Sequence, residues 1–289
     1  MTYEDEFKAQ TGKVSDKWSS YLSAYENLFS SFRLDPVNIL EIGVLKGGHL
    51  EVLSRYFPNA KNIIGCDIDP QCGSFVYGDN RIKVIVGNAY TDQTAQKISA
   101  IAPELNIVIE DGTHVQRDVV YAFAKYFPSL ADGGLFLVED LHTSYWQSYG
   151  GGLFHPFSAY AFFRRLTDVI NAEHWNNGLS VEDFMKAQSA YFGIEFPPEL
   201  ILSVHSITFQ NSICAIRKAA PGKNALGKRI FAGDSGSQEP FAWPNQDANI
   251  FSKPFTDPER RLGSVLASSK TLQSLIGRTI AAFNRRSGN

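Results

Sequence analysis

Short apolar segments alternate, along the first half of the chain, with segments of helical spacing. The apolar runs are residues 37–42, 63–68, 82–86, 106–109 and 135–138, and the segments 47–56, 91–101 and 117–127 separate most of them. The runs are largely apolar throughout instead of alternating with polar residues, which is typical of strands buried on both faces of a parallel sheet. The pattern therefore predicts an α/β fold with a doubly wound, mostly parallel sheet.

Flanking segments extend this prediction in both directions. A helix is predicted over residues 17–32, with Ser15 or Asp16 as its cap, and another over residues 158–171. Two late runs, 200–209 and 212–217, resemble an antiparallel strand pair that turns at Gln210 and Asn211. We predict an N-terminal helical segment (1–35), a sheet-containing domain (36–219), and a C-terminal arm (220–289) with an amphipathic helix over 260–286.

The composition excludes several classes of protein. The 289 residues carry a formal net charge of -3, which gives no general attraction to nucleic acid. No run reaches the roughly 18 apolar residues of a membrane helix, and residues 1–13 are too polar for a secretory signal. The three cysteines include no Cys-x-x-Cys pair, which argues against a disulfide framework or a structural zinc site and favours a cytoplasmic protein.

A glycine-bearing turn, Glu41-x-Gly43-x-x-x-Gly47-Gly48, follows the first predicted strand. Such a turn exposes backbone NH groups of the next helix to a ligand. Leu45 stands where dinucleotide-binding turns have their middle glycine, which weakens a dinucleotide interpretation because a pyrophosphate needs close approach to the backbone. About 20 residues later Asp67 offers a carboxylate for ribose hydroxyls. The predicted cofactor-binding residues are Glu41, Gly43, Gly47, Gly48, Asp67, Asn88 and Ala89, although Asn88 is equally typical of a plain turn.

Acidic residues stand at the ends of the fourth and fifth predicted strands, and a histidine follows each group. Asp111 is followed by His114, and the pair Glu139 and Asp140 is followed by His142. Since the carboxyl ends of parallel strands meet at one edge of a sheet, the pattern predicts a divalent-metal site beside a general base. The alternative is that Asp111 and Asp140 cap the following helices and that Glu139 pairs with a lysine.

Four strings carry a resemblance to a known family: Leu-Glu-Ile-Gly-Val-x-x-Gly-Gly, Asp-Ile-Asp-Pro, Glu-Asp-Gly-Thr-His and Val-Glu-Asp-Leu-His-Thr-Ser-Tyr-Trp. Over residues 15–218 the chain resembles the class I S-adenosylmethionine-dependent methyltransferases. Among them it is similar to the metal-dependent sugar O-methyltransferases of the mycinamicin and tylosin pathways. The resemblance implies a Rossmann-like methyltransferase fold, S-adenosylmethionine as cofactor, and a sugar hydroxyl of a glycosylated metabolite or surface glycan as acceptor.

The same resemblance implies roles for the acidic residues and the histidines. Asp111, Glu139 and Asp140 are the implied ligands of Mg²⁺ or another hard divalent cation, and His142 is the implied base. His114 could be a second base, an orienting group or a hydrogen-bonded structural histidine, and a supporting role is favoured. Glu110 stands where the family usually has aspartate and is expected to shape the strand end. Related enzymes often form dimers or tetramers, so a homo-oligomer is expected.

Three other interpretations stay open from the sequence alone. An NAD-dependent oxidoreductase would use the same sheet and glycine turn, but Leu45 counts against it. A scaffold protein with a lapsed site is disfavoured by the intact set of acidic residues and histidines. Homologues have also been labelled cephalosporin hydroxylases, but oxygenase iron normally takes two histidines and one carboxylate, whereas these carboxylates suit a harder ion.

Overall fold

The computed structural model describes residues 1–175, 178–228, 230 and 232–233. Seven strands form one sheet in the order β3-β2-β1-β4-β5-β7-β6. Neighbours among β1 to β5 are parallel, whereas β7 pairs antiparallel with β5 and with β6. The strands are β1 (Asn38–Ile42), β2 (Asn62–Asp67), β3 (Ile82–Val86), β4 (Leu105–Glu110), β5 (Leu130–Val138), β6 (Val204–Gln210) and β7 (Ile213–Lys218). The predicted doubly wound sheet with an antiparallel C-terminal pair is confirmed.

Helices cover both faces of this sheet. They are α1 (Tyr3–Lys8), α2 (Ser19–Phe29), α3 (Gly48–Tyr56), α4 (Asp92–Ile101), α5 (Gln116–Tyr126), α6 (Ala159–Val169), α7 (Val181–Phe192) and α8 (Pro198–Ile201). One hydrophobic cluster contains residues of α4 to α7, and the other contains residues of α1 to α3. Successive strand residues point to opposite faces, so Ile39 and Leu40 of β1 belong to different clusters. The sheet is therefore the middle of three layers.

The N-terminal helices differ from the sequence prediction. Helix α2 begins at Ser19, and Trp18 at its cap position makes no side-chain cap bond, so the predicted cap at Ser15 or Asp16 is wrong. Helix α1 was not predicted, because residues 1–13 are mostly polar. It begins at a capping box, in which the side chain of Thr2 accepts from the backbone NH of Asp5.

Two differences occur in the C-terminal half. Helix α7 was not predicted as a helix; Ser180 caps its first turn and accepts from the backbone NH of Asp183. The late strand begins at Val204 instead of residue 200, because Pro198 opens the short helix α8 just before it. Asn211 and Ser212 connect β6 to β7, and Ser212 has a φ of 68°.

Residues 1–35 pack directly on the sheet domain. Tyr3, Tyr25 and Phe29 are fully buried in the same hydrophobic cluster as Ile39 of β1. Between α1 and α2 the chain crosses the start of α3, where the backbone NH of Gly48 donates to the carbonyl of Val14 at 3.1 Å. The N-terminal segment therefore contributes to the hydrophobic core of the domain.

The predicted C-terminal amphipathic helix, residues 260–286, lies outside the described residues, as does most of the arm. The boundaries at residues 35 and 219 accordingly stay predictions. Among the described residues, no helix combines the length and apolar character needed to cross a membrane.

We predict that Gly48→Ala destabilises the protein by about 1–3 kcal/mol, the usual cost of overpacking. A Cβ at Gly48 would lie 2.2 Å from the carbonyl oxygen of Lys13 and 2.4 Å from that of Val14, so the N-terminal segment must shift. Urea unfolding measures the free energy, and limited proteolysis detects release of the segment. The matched control is Gly78→Ala, since nothing lies within 4 Å of a Cβ there. Equal stability of the two variants would contradict this account of the close approach.

Candidate functional site

A cavity of about 350 Å³ lies at the carboxyl ends of β1 to β4. The order of the strands reverses between β1 and β4, which is where doubly wound sheets bind their ligands. Four of the predicted cofactor residues line this cavity: Gly43, Asp67, Asn88 and Ala89. Its volume lies in the range of small-molecule sites, roughly 300–1,000 Å³.

Asp67, at the end of β2, organises the glycine turn beside the cavity. Its Oδ2 accepts from the backbone NH groups of Val44 at 2.7 Å and Leu45 at 3.0 Å. Its Oδ1 accepts from the NH of Asp69 at 2.9 Å. A carboxylate has about four acceptor positions, so Asp67 can still accept one more hydrogen bond. Leu45 has a φ of 51° with its side chain exposed, a conformation that glycine would adopt more readily.

Three predicted cofactor residues lie outside the lining of the cavity. Glu41 is buried and bonded to the ring of His49. A Cβ on Gly47 would meet the hydroxyl of Tyr77 at 2.4 Å. The NH of Gly48, at the start of α3, is taken by Val14. At Gly47 and Gly48, the space left by the missing side chain is therefore taken by other residues of the chain and not by a ligand.

The acidic residues and histidines meet at the ends of β4 and β5. Donor atoms of Asp111, His114 and Asp140 all lie within 4.8 Å of one another. His114 Nε2 is 3.6 Å from Asp140 Oδ2 and 3.9 Å from Asp111 Oδ1. Two carboxylates and an imidazole form a donor set that suits a divalent cation.

Glu139 has different partners. Lys17 Nζ lies 2.8 Å and 2.9 Å from its two oxygens and 2.5 Å from Oδ2 of Asp111. The hydroxyl of Tyr25 also donates to Glu139. The pairing of Glu139 with a lysine was part of the alternative interpretation. The same interpretation made Asp140 a helix cap. This does not hold, because Asp140 precedes a short 3-10 helix but its side chain makes no cap bond.

The start of helix α2 and the residue before it also orient Asp140. Trp18 Nε1 donates to Asp140 Oδ1 at 3.0 Å, and the hydroxyl of Tyr21 donates to the same oxygen at 2.8 Å. Asp111, Glu139 and Asp140 are thus all contacted by side chains of residues 17–25. The helical spacing of the two tyrosines indicated a common face, but nothing local to the sequence indicated what that face contacts.

His142 is held by the turn between β6 and β7. Its Nδ1 lies 2.5 Å from Ser212 Oγ, which is in turn 2.8 Å from the hydroxyl of Tyr21. The ring is also close to two exposed tryptophans: its centroid is 4.7 Å from that of Trp146 and 6.3 Å from that of Trp18. Ser212 could not be predicted as a partner of His142, because the two residues are 70 positions apart.

Burial sets the electrostatics of this site. Burial raises the pKa of Glu139 above its usual range, and the nearby charge of Asp111 raises it further. Burial alone would lower the pKa of Lys17, but the carboxylates of Glu139 and Asp111 raise it well above its ordinary value. Lys17 is therefore a stable ammonium ion at neutral pH.

Glu110 faces away from this cluster. Its side chain is fully buried and accepts from the hydroxyl of Tyr90 at 2.8 Å, and burial raises its pKa to about 7. Tyr90 itself lines the cavity. Its contact with Glu110 is consistent with the expected role of Glu110 in shaping the strand end.

A family model described as a methyltransferase domain matches residues 40–141. This range begins in β1 and includes the glycine turn, Asp67, Asp111 and Asp140. It ends one residue before His142.

Several curated proteins are similar to this chain. The 8-demethyl-8-alpha-L-rhamnosyl tetracenomycin-C 2'-O-methyltransferase of Streptomyces olivaceus is 34% identical over 167 residues, which are 54% of this chain and 43% of that protein. The mycinamicin VI 2''-O-methyltransferase of Micromonospora griseorubida is 34% identical over 134 residues, which are 44% of this chain and 33% of that protein. The chain therefore spans less than half the length of these curated relatives.

Among solved structures, the MycE methyltransferase of the mycinamycin biosynthetic pathway, in complex with Mg and SAH, aligns with a TM-score of 0.61. The sequence identity is 22%, and the match covers 79% of this chain and 57% of that chain. At this identity the likeness shows the fold. The chain therefore has the Rossmann-like fold of MycE, matches a methyltransferase-domain family over residues 40–141, and is similar to sugar O-methyltransferases.

Proposed function

We propose that the protein is an O-methyltransferase that depends on S-adenosylmethionine and a divalent cation and acts on a sugar hydroxyl of a glycosylated metabolite or surface glycan. The observation that carries this proposal is the arrangement of the carboxyl edge of the sheet. A cavity lined by Asp67 adjoins a donor set of Asp111, His114 and Asp140, and His142 lies beside that set. Cofactor, cation and base would thus share one crevice.

The cavity suits a nucleoside cofactor better than a dinucleotide. Asp67 keeps capacity for a ribose hydroxyl, and Asn88 and Ala89 lie on the wall where an adenine would be expected. A dinucleotide would place its pyrophosphate at the start of α3, where Gly48 already donates to Val14. MycE has been crystallised with SAH, the demethylated form of the proposed cofactor.

The partners of one tyrosine–lysine pair also disfavour hydride transfer. Tyr121 and Lys125 have the Tyr-x-x-x-Lys spacing of some oxidoreductases. In the structure, Lys125 pairs with Asp92 at 2.5 Å, and the hydroxyl of Tyr121 donates to the carbonyl of Phe192 at 3.2 Å. Their polar groups thus have separate partners.

Asp111 and Asp140 would hold the cation, with His114 as a third donor. When bound, such a cation lowers the pKa of a coordinated hydroxyl and fixes its direction. Glu139, the third ligand implied by the family resemblance, has both oxygens bonded to Lys17. MycE has been crystallised with Mg, and carboxylate donors suit Mg²⁺ or Mn²⁺.

His142 would accept the proton of the sugar hydroxyl. If Nδ1 carries a proton and donates it to Ser212 Oγ, the other ring nitrogen, Nε2, keeps the lone pair that a base requires. Trp18 and Trp146 both lie near the ring and have large exposed surfaces. Their apolar faces suit packing against the C–H groups of a sugar.

A cytoplasmic location and a homo-oligomer are further proposals. Cys66, Cys72 and Cys214 are free and buried, as is usual in a reducing compartment. The absence of nucleic-acid binding is supported by the net charge of -3. Size-exclusion chromatography with light scattering measures the oligomeric state.

We expect methyl transfer from S-adenosylmethionine to a glycoside acceptor, loss of transfer in EDTA, and recovery on adding Mg²⁺. A coupled assay for released S-adenosylhomocysteine, with a panel of rhamnosides and macrolide glycosides, measures it. Calorimetry should show binding of S-adenosylhomocysteine but not of NAD. Transfer that is undiminished in EDTA would contradict the cation, and binding of NAD alone would contradict the methyltransferase.

His142→Ala should lower turnover by roughly 10²–10⁴-fold, the usual contribution of a general base. The affinity for S-adenosylhomocysteine should stay unchanged, because His142 is not part of the cavity lining. His205→Ala is the matched control, since His205 is exposed on β6 and bonds Asn224 instead. A near-wild-type rate for His142→Ala would remove His142 as the base.

A further inference from the structure

We propose that the acidic cluster contains two cation positions that share Asp111, and that the ammonium of Lys17 fills one of them. The protein would then bind one divalent ion where its carboxylates could otherwise hold two. This inference rests on the cation site of the proposed function.

The first observation is the surroundings of Lys17 Nζ. It lies 2.5 Å from Asp111 Oδ2, 2.8 Å from Glu139 Oε1 and 3.9 Å from Glu41 Oε1. The side chain of Lys17 is only 3% exposed, and those of Glu41 and Glu139 are 2% exposed. A single buried cation thus stands among three carboxylates, which is the oxygen-rich environment that hard divalent ions prefer.

The second observation is that the two carboxylate oxygens of Asp111 have different neighbours. Oδ2 bonds Lys17, whereas Oδ1 faces His114 at 3.9 Å. His114 in turn faces Asp140. Asp111 therefore stands between the position of the ammonium and the donor set proposed for the divalent ion, in the manner of a carboxylate that bridges two metals.

The third observation is an unsatisfied oxygen at Glu41. Oε1 bonds His49 Nδ1, but the buried Oε2 has no hydrogen-bond partner among the described residues. A buried acceptor without a partner is destabilising, and more so when the group is charged. Glu41, whose Oε1 lies 3.9 Å from Lys17 Nζ, thus brings an unsatisfied carboxylate oxygen close to the position of the ammonium, and a cation of higher charge could use it.

An ammonium at this position has a chemical advantage. Lys17 is covalently part of the chain, so its charge is present whether or not metal is available. It neutralises part of the carboxylate charge and leaves Oδ1 of Asp111 and Oδ2 of Asp140, the oxygens that face His114, for one ion. Lys17 is in this view a positioning residue, and it sets the number of ions.

The test compares metal stoichiometry in wild type and Lys17→Ala. Titration with Mn²⁺ by calorimetry, and metal analysis after gel filtration, should give about one equivalent for wild type and about two for Lys17→Ala, as in two-metal sites. Two Mn²⁺ ions that share a carboxylate are magnetically coupled, so the electron paramagnetic resonance spectrum of Lys17→Ala should be broadened. Lys17→Arg keeps a cation and should stay at about one equivalent.

Lys13→Ala is the matched control. Lys13 lies in the same segment and pairs with Glu51 at 2.9 Å, away from the acidic cluster, so its loss loosens the segment without opening a cation position. Its stoichiometry should remain that of wild type. Two equivalents bound by Lys13→Ala would contradict the assignment to Lys17.

Stability provides a second readout. Without metal, Lys17→Ala should melt below wild type, because the carboxylates of Glu41, Asp111 and Glu139 lose their counter-charge. Mn²⁺ should raise its melting temperature more than that of wild type. If Lys17→Ala folds neither with nor without Mn²⁺, a metal ion cannot replace the ammonium and the proposal is wrong.

The remaining outcomes are distinguishable. One equivalent in both proteins, with tighter binding by Lys17→Ala, would show that Lys17 and the ion compete for a single position and would overturn the inference. Two equivalents in wild type would also overturn it. No binding to wild type would contradict the cation site of the proposed function itself, and with it the two positions.

Discussion

The buried ammonium of Lys17 is the interaction on which the carboxyl edge of the sheet depends. It joins the ends of β4 and β5 to a segment more than 90 residues earlier in the chain. Removing one partner of a buried ion pair typically costs about 3–5 kcal/mol, because the other charge is left without compensation. Asp111 and Glu139 therefore keep their common counter-charge only while the N-terminal segment is docked.

That docking also changes how the common fold is used. In doubly wound sheets the start of the first crossover helix is a site for phosphate. Here the carbonyl of Val14 takes the NH of Gly48, so the chain's own backbone fills the place of an anion. The cavity is lined instead by the ends of β1 to β4 near Asp67. The same segment brings Trp18 to the side of His142, which makes residues 1–35 part of the site as well as of the core.

The sequence predicted the sheet well because buried parallel strands are apolar runs, a pattern that depends on burial alone. It also predicted that Asp111 and Asp140 would meet, since both follow strands whose carboxyl ends share one edge. It could not predict that Lys17 pairs with Glu139, because contacts between residues 122 positions apart leave no periodic signal. Gly48 shows a different limit. Its lack of a side chain indicated close approach of a neighbour, but a glycine does not specify whether that neighbour is a ligand or another part of the chain.

The turn between β6 and β7 has a consequence for how the protein is made. Ser212 contacts both His142 and Tyr21, and Tyr21 precedes it by 191 residues. During synthesis, the N-terminal segment leaves the ribosome long before this turn exists. Contacts over such separations form slowly, since the chain must first close a large loop. A nascent chain can therefore assemble the parallel strands while His142 still lacks its support, and the crevice is completed only after the last hairpin has been added.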